Sequence, residues 1–276
     1  MPASPLPAGF LDERRRGARL AVRADYAQRF CDWGLRARGG EPFEASELHG
    51  RRPLATVRGS AGQVLVRRFR HGGLFAPVTG DRFLDRARPF RELALAERLR
   101  ALGIATPAVV AARARRCLPF GWRLELFTLR VEGARDLAAC LDERRERRLT
   151  DAEWRALVRR AGDLVGRAHA AGFVHADLHP KNILEAPDGT LMLLDLDGSR
   201  FVDALDDAAR TANLERLWRW VARDHARTVS RADRWRFLTT WEAAGGSNAR
   251  AAWLAVEARF RRNAALHRAG RRLQGR

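Results

Sequence analysis

The sequence predicts an α+β fold of two lobes, in which an antiparallel sheet with one key helix precedes a mainly helical half. Two features predict it. Short β-like segments dominate as far as residue 129, with one helical segment, Pro89–Leu102, among them. Beyond that point, apolar residues recur at the spacing of long amphipathic helices. We therefore place the lobes at 1–129 and 130–276, the first opening with a surface helix at about 11–38.

Strands account for most of the first lobe in this prediction. Leu54–Val57 and Gln63–Arg67 have β-like composition, and residues 58–62 between them are typical of a hairpin turn. Val109–Val110 and Leu124–Leu129 are predicted to be two further strands.

Helices account for most of the second lobe. Apolar residues recur at helical spacing from Trp154 to Ala168, and three more helical patterns follow at about 207–224, 231–244 and 248–269. Two lobes in this order are typical of a kinase fold.

The net charge of the chain limits the classes of partner that it is expected to bind. The net charge is +19, and 51 of the 52 basic residues are arginine because Lys181 is the one lysine. Such a charge favours an anionic partner, and a genome-wide preference for arginine codons explains it equally well. No basic segment alternates with aromatic residues and no zinc finger is recognisable, so we expect no nucleic acid partner.

Cysteine usage and hydropathy bear on the compartment. Cys31, Cys117 and Cys140 are odd in number and far apart, which fits neither a disulfide framework nor a zinc site and favours a reducing environment. Met1–Phe10 does not resemble a signal peptide, and no apolar run approaches the ~20 residues of a membrane span. We expect a soluble or peripheral protein.

Three polar residues form the most informative motif. Asn182 follows Asp177 by five positions, Asp195 follows Asn182 by thirteen, and short apolar segments frame all three. In a kinase fold, residues in this order orient the attacking hydroxyl and hold the Mg²⁺ ions that bridge the phosphates of ATP. The spacing predicts Asp177 as a catalytic residue, and Asn182 and Asp195 as metal ligands.

Six segments over roughly residues 48–220 resemble the lipopolysaccharide kinases, and among these the kinases of 3-deoxy-D-manno-octulosonic acid (Kdo). The segments are Val66–Leu74, Phe90–Glu92, Gly133–Leu137, His175–Leu178, Leu194–Asp197 and Ala212–Leu217. The resemblance implies a protein-kinase-like fold with ATP and Mg²⁺ as cofactors. It also implies transfer of the γ-phosphate to a hydroxyl of Kdo on a lipid A precursor.

The strand lysine that grips nucleotide phosphates in ordinary kinases is missing. Arg67 stands at its position, where the resemblance also places an arginine, and alternation puts Leu65, Arg67 and Phe69 on one face. Glu92 shares a helix face with leucines, and an unpaired buried carboxylate is costly. We predict an Arg67–Glu92 ion pair, with an exposed Glu92 near the helix start as the alternative.

Two further segments are predicted to contact the nucleotide. Gly50, Arg51 and Arg52 precede the second strand, where guanidinium groups would replace the backbone donors of a glycine-rich loop; a solvated basic turn is the alternative. Thr128, Leu129 and Arg130 are predicted to be a hinge whose backbone meets adenine. Asp136 either approaches the ribose or caps the helix that begins near Leu137.

Other residues of the catalytic segment are given narrower roles. His175 is predicted to brace the loop, and His179 either contacts a phosphate when protonated or orients the loop. Lys181 is predicted to face solvent. Asp197 replaces the glycine usual in kinases and is expected to assist metal or substrate binding. Asp188-Gly189 is typical of a hairpin turn.

The resemblance also implies the acceptor, a Kdo-lipid A type glycolipid, for which we predict contacts from Arg70, His71, Gly72 and Gly73. Such an acceptor lies in an anionic membrane surface, where a basic protein gains ~1 kcal/mol per well-placed arginine. We expect a peripheral protein at the cytoplasmic face of the bacterial inner membrane.

Two other functions stay open. The segment from Asp177 to Asn182 also resembles the aminoglycoside and choline kinases, whose cationic acceptors fit a charge of +19 poorly. A weakly catalytic scaffold that binds anionic glycolipid is suggested by the missing strand lysine and opposed by the intact motif of Asp177, Asn182 and Asp195. Mg²⁺-dependent nucleotide binding counts against the scaffold.

Overall fold

The protein is described here by a computed structural model. The residues that this structure describes are 6–35, 44–49, 53–59, 62–70 and 81–260. The chain divides into two compact units, one of residues 1–101 and 106–131 and the other of residues 102–105 and 132–276.

An antiparallel sheet forms the first unit. Its described strands are β1 (Phe10–Arg15), β2 (Ala18–Arg23), β3 (Glu44–His49), β4 (Pro53–Gly59), β5 (Gly62–Arg68), β6 (Val109–Arg116) and β7 (Trp122–Leu129). They lie in the order β1-β2-β6-β7-β5-β4-β3. The predicted strands are therefore confirmed, although β6 extends well beyond Val109–Val110 because its partners β2 and β7 continue alongside it.

Helices pack on this sheet. Helix α1 (Ala27–Asp32) contributes Phe30 to an apolar core that includes Leu20 and Val22 of β2 and Phe127 of β7. Helix α2 (Arg88–Ala101), which was predicted at Pro89–Leu102, packs against β6 and β7. This helix carries Glu92 towards the sheet.

The predicted surface helix over 11–38 is wrong. Its described part forms the hairpin β1–β2, then a 3-10 turn at Ala24–Tyr26, and only then the short α1. Gly17 takes a φ of 75° in the hairpin, a conformation that favours glycine. Ala18, Leu20 and Val22 alternate along β2 and are buried, which is the period of a strand and not of a helix.

The second unit is mainly helical. Its strands are β8 (Arg135–Asp136), β9 (Phe173–Val174), β10 (Ile183–Glu185), β11 (Leu191–Leu193) and β12 (Arg200–Phe201). Its helices are α3 (Leu137–Arg145), α4 (Asp151–Ala170), α5 (Asp207–Asp224), α6 (Arg231–Ala243) and α7 (249–260). None of the described helices is long and apolar enough to cross a membrane.

The helix predictions for this half are confirmed where the structure describes them. The pattern at 207–224 is α5, and the pattern at 231–244 is α6, which ends one residue earlier. Residues 261–269 of the last predicted helix lie outside the described residues. A mixed α+β fold is thus confirmed.

Candidate active site

Two short strands position the catalytic segment of the second unit. β9 leads into His175 and Asp177, and a 3-10 turn at Pro180–Asn182 leads into β10. β10 pairs antiparallel with β11, so that Ile183 lies opposite Leu193. Asn182 and Asp195 therefore lie at the same end of this hairpin. The opposite end is the predicted turn at Asp188-Gly189, where Thr190 N donates to the Asp188 carboxylate at 2.8 Å.

His175 braces this segment, as predicted. Its Nε2 lies 2.8 Å from the carbonyl oxygen of Leu194, and its Nδ1 accepts a hydrogen bond from the backbone N–H of Asp177 at 3.1 Å. Burial lowers the pKa of His175, so the ring is neutral and carries its proton on Nε2. The imidazole thus fixes the backbone of Asp177 relative to the strand that ends before Asp195.

Asn182 supplies the second tie within the segment. Its side-chain Nδ2 donates to the carbonyl oxygen of Asp177 at 2.9 Å, and its own carbonyl oxygen accepts from Leu194 N at 2.9 Å. Its Oδ1 remains an oxygen donor of the kind that Mg²⁺ binds. With the His175 contact, these bonds join the loops of Asp177, Asn182 and Asp195 into one frame.

Asp195 has an unusual backbone. Its φ is 51°, in the left-handed region that costs a residue with a side chain about 1–2 kcal/mol. Its side chain is exposed, and the neighbouring Leu194 is held on both sides by the frame just described. Mg²⁺ is usually bound by one or two protein oxygens together with phosphates and water. Asn182 and Asp195 fit that donor set, and the described residues contain no cluster of three or more His, Cys, Asp or Glu that would suggest another metal site.

The Asp177 carboxylate is half-exposed and has two cationic or polar neighbours. Arg216 Nη1 lies 3.4 Å from Oδ1, and His179 Nε2 lies 3.4 Å from Oδ2. The His179 ring also stacks on Trp220, with a centroid distance of 6.3 Å. Sequence reasoning quoted Arg216 only within a family segment and missed Trp220. The available signal was that Asn213, Arg216 and Trp220 are three and seven positions apart, on one face of α5.

Asn213 supports the same loop through a buried hydrogen-bond network. Its Nδ2 donates to the carbonyl oxygen of His175 at 2.6 Å, and its Oδ1 lies 3.2 Å from His169 Nε2. His169 Nδ1 accepts from Trp241 Nε1 at 3.0 Å. Burial lowers the pKa of His169 to about 4, so this imidazole is neutral and links α6, through α4 and α5, to the catalytic loop.

The first unit contains the predicted ion pair. Arg67 Nη2 on β5 contacts Glu92 Oε2 on α2, and the Glu92 side chain is only 5% exposed. The Arg67 guanidinium also lies over the Phe69 ring, 4.5 Å from its centroid. The pairing is confirmed and the exposed alternative for Glu92 is wrong; a role for the pair in nucleotide binding stays a prediction.

The remaining predicted positions fall into four groups. Asp136 caps α3 by accepting from Ala139 N at 2.8 Å, and Asp197 is half-buried in the turn after β11. At the predicted hinge, Thr128 pairs within the sheet, and the N–H groups of Leu129 and Arg130 donate to Ala108 and Gln63. Adenine contacts at these two N–H groups would have to replace those bonds.

Arg70 and Lys181 are exposed. Gly50, Arg51, Arg52, His71, Gly72 and Gly73 lie outside the described residues.

Residues 38–241 match the model of the lipopolysaccharide kinase (Kdo/WaaP) family. The chain belongs to this family. It is 32% identical to a 3-deoxy-D-manno-octulosonic acid kinase of Actinobacillus succinogenes, over 63% of this chain and 72% of the relative. It is 33% identical to the corresponding kinase of Stenotrophomonas maltophilia, over 68% of this chain and 70% of the relative.

Among solved structures, the chain is similar to one described as WaaP in complex with acyl carrier protein. The TM-score is 0.61 with 22% sequence identity, covering 89% of this chain and 98% of WaaP. This similarity shows the fold, which is protein-kinase-like. As a lipopolysaccharide kinase, the protein is an ATP-dependent phosphotransferase that acts on a sugar hydroxyl.

Proposed function

We propose that this lipopolysaccharide kinase transfers the γ-phosphate of ATP to a hydroxyl of Kdo on a lipid A precursor. The observation that carries the proposal is the frame that ties Asp177, Asn182 and Asp195 together through His175. The family match and the Kdo kinases among its relatives support Kdo as the sugar.

In this mechanism Asp177 accepts a hydrogen bond from the acceptor hydroxyl and orients its oxygen toward the γ-phosphate. The Arg216 guanidinium lies 3.4 Å from Oδ1 and holds that carboxylate oxygen in place. His179, on the other carboxylate oxygen, limits the rotation of the Asp177 side chain. Mg²⁺ bound through Asn182 and Asp195 would neutralise charge on the phosphates.

The first unit would contribute nucleotide binding, the role predicted for residues 1–129. We assign the phosphates to Arg67, held by Glu92 and by the face of Phe69. A guanidinium suits this task because it presents several donors in a fixed plane. Gly50, Arg51 and Arg52 remain candidates for further phosphate contacts, and Thr128, Leu129 and Arg130 for adenine.

The acceptor would be reached at an anionic surface. A net charge of +19 favours association with the cytoplasmic face of the inner membrane, where the acceptor would lie. Arg70, His71, Gly72, Gly73 and Asp197 are the proposed acceptor contacts. They rest on the sequence resemblance.

The test is transfer of labelled phosphate. The purified chain is incubated with Mg²⁺, γ-labelled ATP and Kdo-lipid A, beside an aminoglycoside panel. We expect label on the glycolipid alone, and its loss in Asp177→Ala. Asp163→Ala is the matched control, because this carboxylate forms only an exposed ion pair with Arg167 on α4.

Label on an aminoglycoside would overturn the acceptor, and undiminished transfer in Asp177→Ala would overturn the mechanism. Absence of transfer to Kdo-lipid A, with Mg²⁺-dependent ATP binding intact, would overturn Kdo as the sugar and leave the phosphotransferase chemistry standing.

A further inference from the structure

An arginine-lined cavity lies within the second unit. Two segments, 144–151 and 223–228, line this open cavity, whose volume is about 790 Å³. They are the connection after α3 and the connection after α5. Five of the lining residues are arginines, namely Arg144, Arg145, Arg147, Arg223 and Arg227, and two are the aspartates Asp151 and Asp224.

Both aspartates of this cavity are already compensated. Asp151 Oδ1 lies 2.6 Å from Arg144 Nη2. Asp224 accepts two hydrogen bonds from Arg223, at 2.9 and 2.7 Å. Arg147 and Arg227 are exposed, and among the residues that the structure describes neither has an ion-pair partner. Within the described part of the chain, Arg147 and Arg227 therefore give the cavity positive charge that no ion pair compensates.

Arg147 stands where a glycine is expected. It follows the end of α3, where its N–H donates to Arg144 O at 3.2 Å and the next N–H, from Arg148, donates to Glu143 O at 2.9 Å. This arrangement ends many helices and places a residue in the left-handed conformation, usually glycine. Arg147 has a φ of 60° there. Glycine would adopt this conformation at lower cost, so the arginine here does not serve the helix end itself.

The cavity also lies beside the catalytic loop. His225, one of its lining residues, stacks on Trp220 with a centroid distance of 5.3 Å, and Trp220 stacks in turn on His179. Lys181, in the turn before Asn182, is close enough to Asp224 to lower the pKa of that carboxyl, after the larger effect of the Arg223 hydrogen bond. The cavity is thus connected to Asp177 through the stacked rings of His225, Trp220 and His179.

We propose that this cavity binds a phosphate monoester. Guanidinium groups bind phosphate through paired, charge-assisted hydrogen bonds. The volume lies within the range of small-molecule sites, which leaves room for a sugar ring beside the phosphate. Resting on the proposed function, the occupant is a phosphate of the glycolipid acceptor, bound while a hydroxyl of the same molecule lies at Asp177.

Binding is tested first, without any transfer. The full chain is saturated with Mg²⁺ and a non-hydrolysable ATP analogue, and glucose 1-phosphate or glucose is titrated by calorimetry. We expect binding of glucose 1-phosphate only, weakened about tenfold in Arg147→Gly and abolished in Arg147→Gly/Arg227→Ala. Arg147→Gly should unfold at a temperature no lower than the parent, because glycine relieves the left-handed conformation. Arg159→Ala, an exposed arginine on α4, removes the same charge and should leave binding unchanged.

Kinetics then connect the cavity to the acceptor. The double variant should raise KM for Kdo-lipid A about tenfold or more, with KM for ATP unchanged. Unchanged binding of glucose 1-phosphate in the double variant would overturn the cavity. A double variant that instead loses only its co-sedimentation with phosphatidylglycerol vesicles would keep its binding of glucose 1-phosphate. That result would also overturn the phosphate site and would make these arginines a membrane contact. If the parent transfers nothing to Kdo-lipid A, the proposed function fails, and the glucose 1-phosphate titration still decides the cavity.

Discussion

Asn213 on α5 donates a hydrogen bond of 2.6 Å from its side-chain amide to the backbone carbonyl oxygen of His175. Both residues are buried. His175 in turn forms hydrogen bonds with the backbone of Asp177 and Leu194. The position of Asn213 on α5 therefore affects the position of the catalytic loop. Trp241 and His169 extend this network to α6. The helices of the second unit therefore determine where the Asp177 carboxylate lies.

Replacing Asn213 by leucine tests this dependence. Leucine keeps the branching of the asparagine side chain, although it is bulkier, and leaves the His175 carbonyl and His169 Nε2–H without partners. We expect the free energy of unfolding to fall by about 1–3 kcal/mol and kcat to fall about tenfold or more, since misplaced catalytic groups cost rate steeply. Urea unfolding and initial rates of phosphate transfer measure the two effects.

Asn248→Ala is the control for this variant. Asn248 caps the last described helix by accepting from Ala251 N at 2.8 Å, so its loss should cost about 1 kcal/mol. It touches nothing in the catalytic segment, and kcat should be unchanged. Equal rates for Asn213→Leu and Asn248→Ala would show that the network supports folding and not the position of Asp177.

Stability should depend on pH through His169. Burial lowers its pKa from 6.5 to about 4; the hydrogen bond that His169 donates to Asn213 opposes this shift, and the charge of Arg210 adds a smaller lowering. His169 is protonated near pH 6.5 in the unfolded chain but only near pH 4 in the folded chain. Stability is therefore full above pH 6.5 and falls as pH drops toward 4, by about 3 kcal/mol at most.

Unfolding in urea at pH 7, 5.5 and 4.5 measures this loss. His169→Gln keeps one donor and one acceptor without a titrating ring, so its stability should decline less over the same interval. Burial also lowers the pKa of His175, and the variant retains the dependence that comes from that residue. Identical slopes for parent and variant would show that His169 is not the group responsible.

The sequence was most informative where local pattern and chemistry agree. α5 was predicted at its observed bounds, because its apolar residues have helical period over five turns. Arg67–Glu92 was predicted across a gap of 25 residues, because a carboxylate on an apolar helix face requires a cation and β5 offered one at the right position.

The missed features depend on distant partners. The apolar alternation of β2 covers only six residues within an arginine-rich segment and was missed, and the burial of this strand follows from pairing with β6, about 90 residues later. Asn213 lies 38 residues from His175, and the arginine cavity joins segments about 75 residues apart. Local periodicity can indicate a buried face, as it does in β2 and α5, but it does not identify the distant residues that cover that face.

Arg67 should set the affinity for ATP. In Arg67→Met with Glu92→Leu, two apolar side chains replace the ion pair, so we expect the free energy of unfolding to change by about 1 kcal/mol or less. KM for ATP should rise about tenfold, because the phosphates lose charge-assisted hydrogen bonds. Arg67→Lys should retain part of the affinity.

Arg68→Met is the matched control for this prediction. Arg68 follows Arg67 on β5, points to the opposite face, and lies 3.5 Å from Glu125. Its loss should leave KM for ATP unchanged. Equal rises in KM for ATP in the two variants would mean that the effect is not specific to the Arg67 side chain.

The packing of α4 on α6 should tolerate no methyl group at Gly166. A Cβ there would lie 2.5 Å from the backbone oxygen of Trp241 and 2.6 Å from the Ala244 Cβ. In an open helix, glycine to alanine stabilises by about 0.5–1 kcal/mol. We expect Gly166→Ala to do the opposite and lower the free energy of unfolding by about 1–3 kcal/mol, because neither atom moves without shifting a helix.

The same substitution should also slow catalysis, because Trp241 donates to His169 and a displaced α6 disturbs the network that ends at His175. Urea unfolding and kcat are measured beside Arg159→Ala, an exposed change on α4 that should alter neither. A Gly166→Ala protein that is more stable than the parent would refute the close approach. One that is destabilised with unchanged kcat would show that the catalytic loop does not depend on the position of α6.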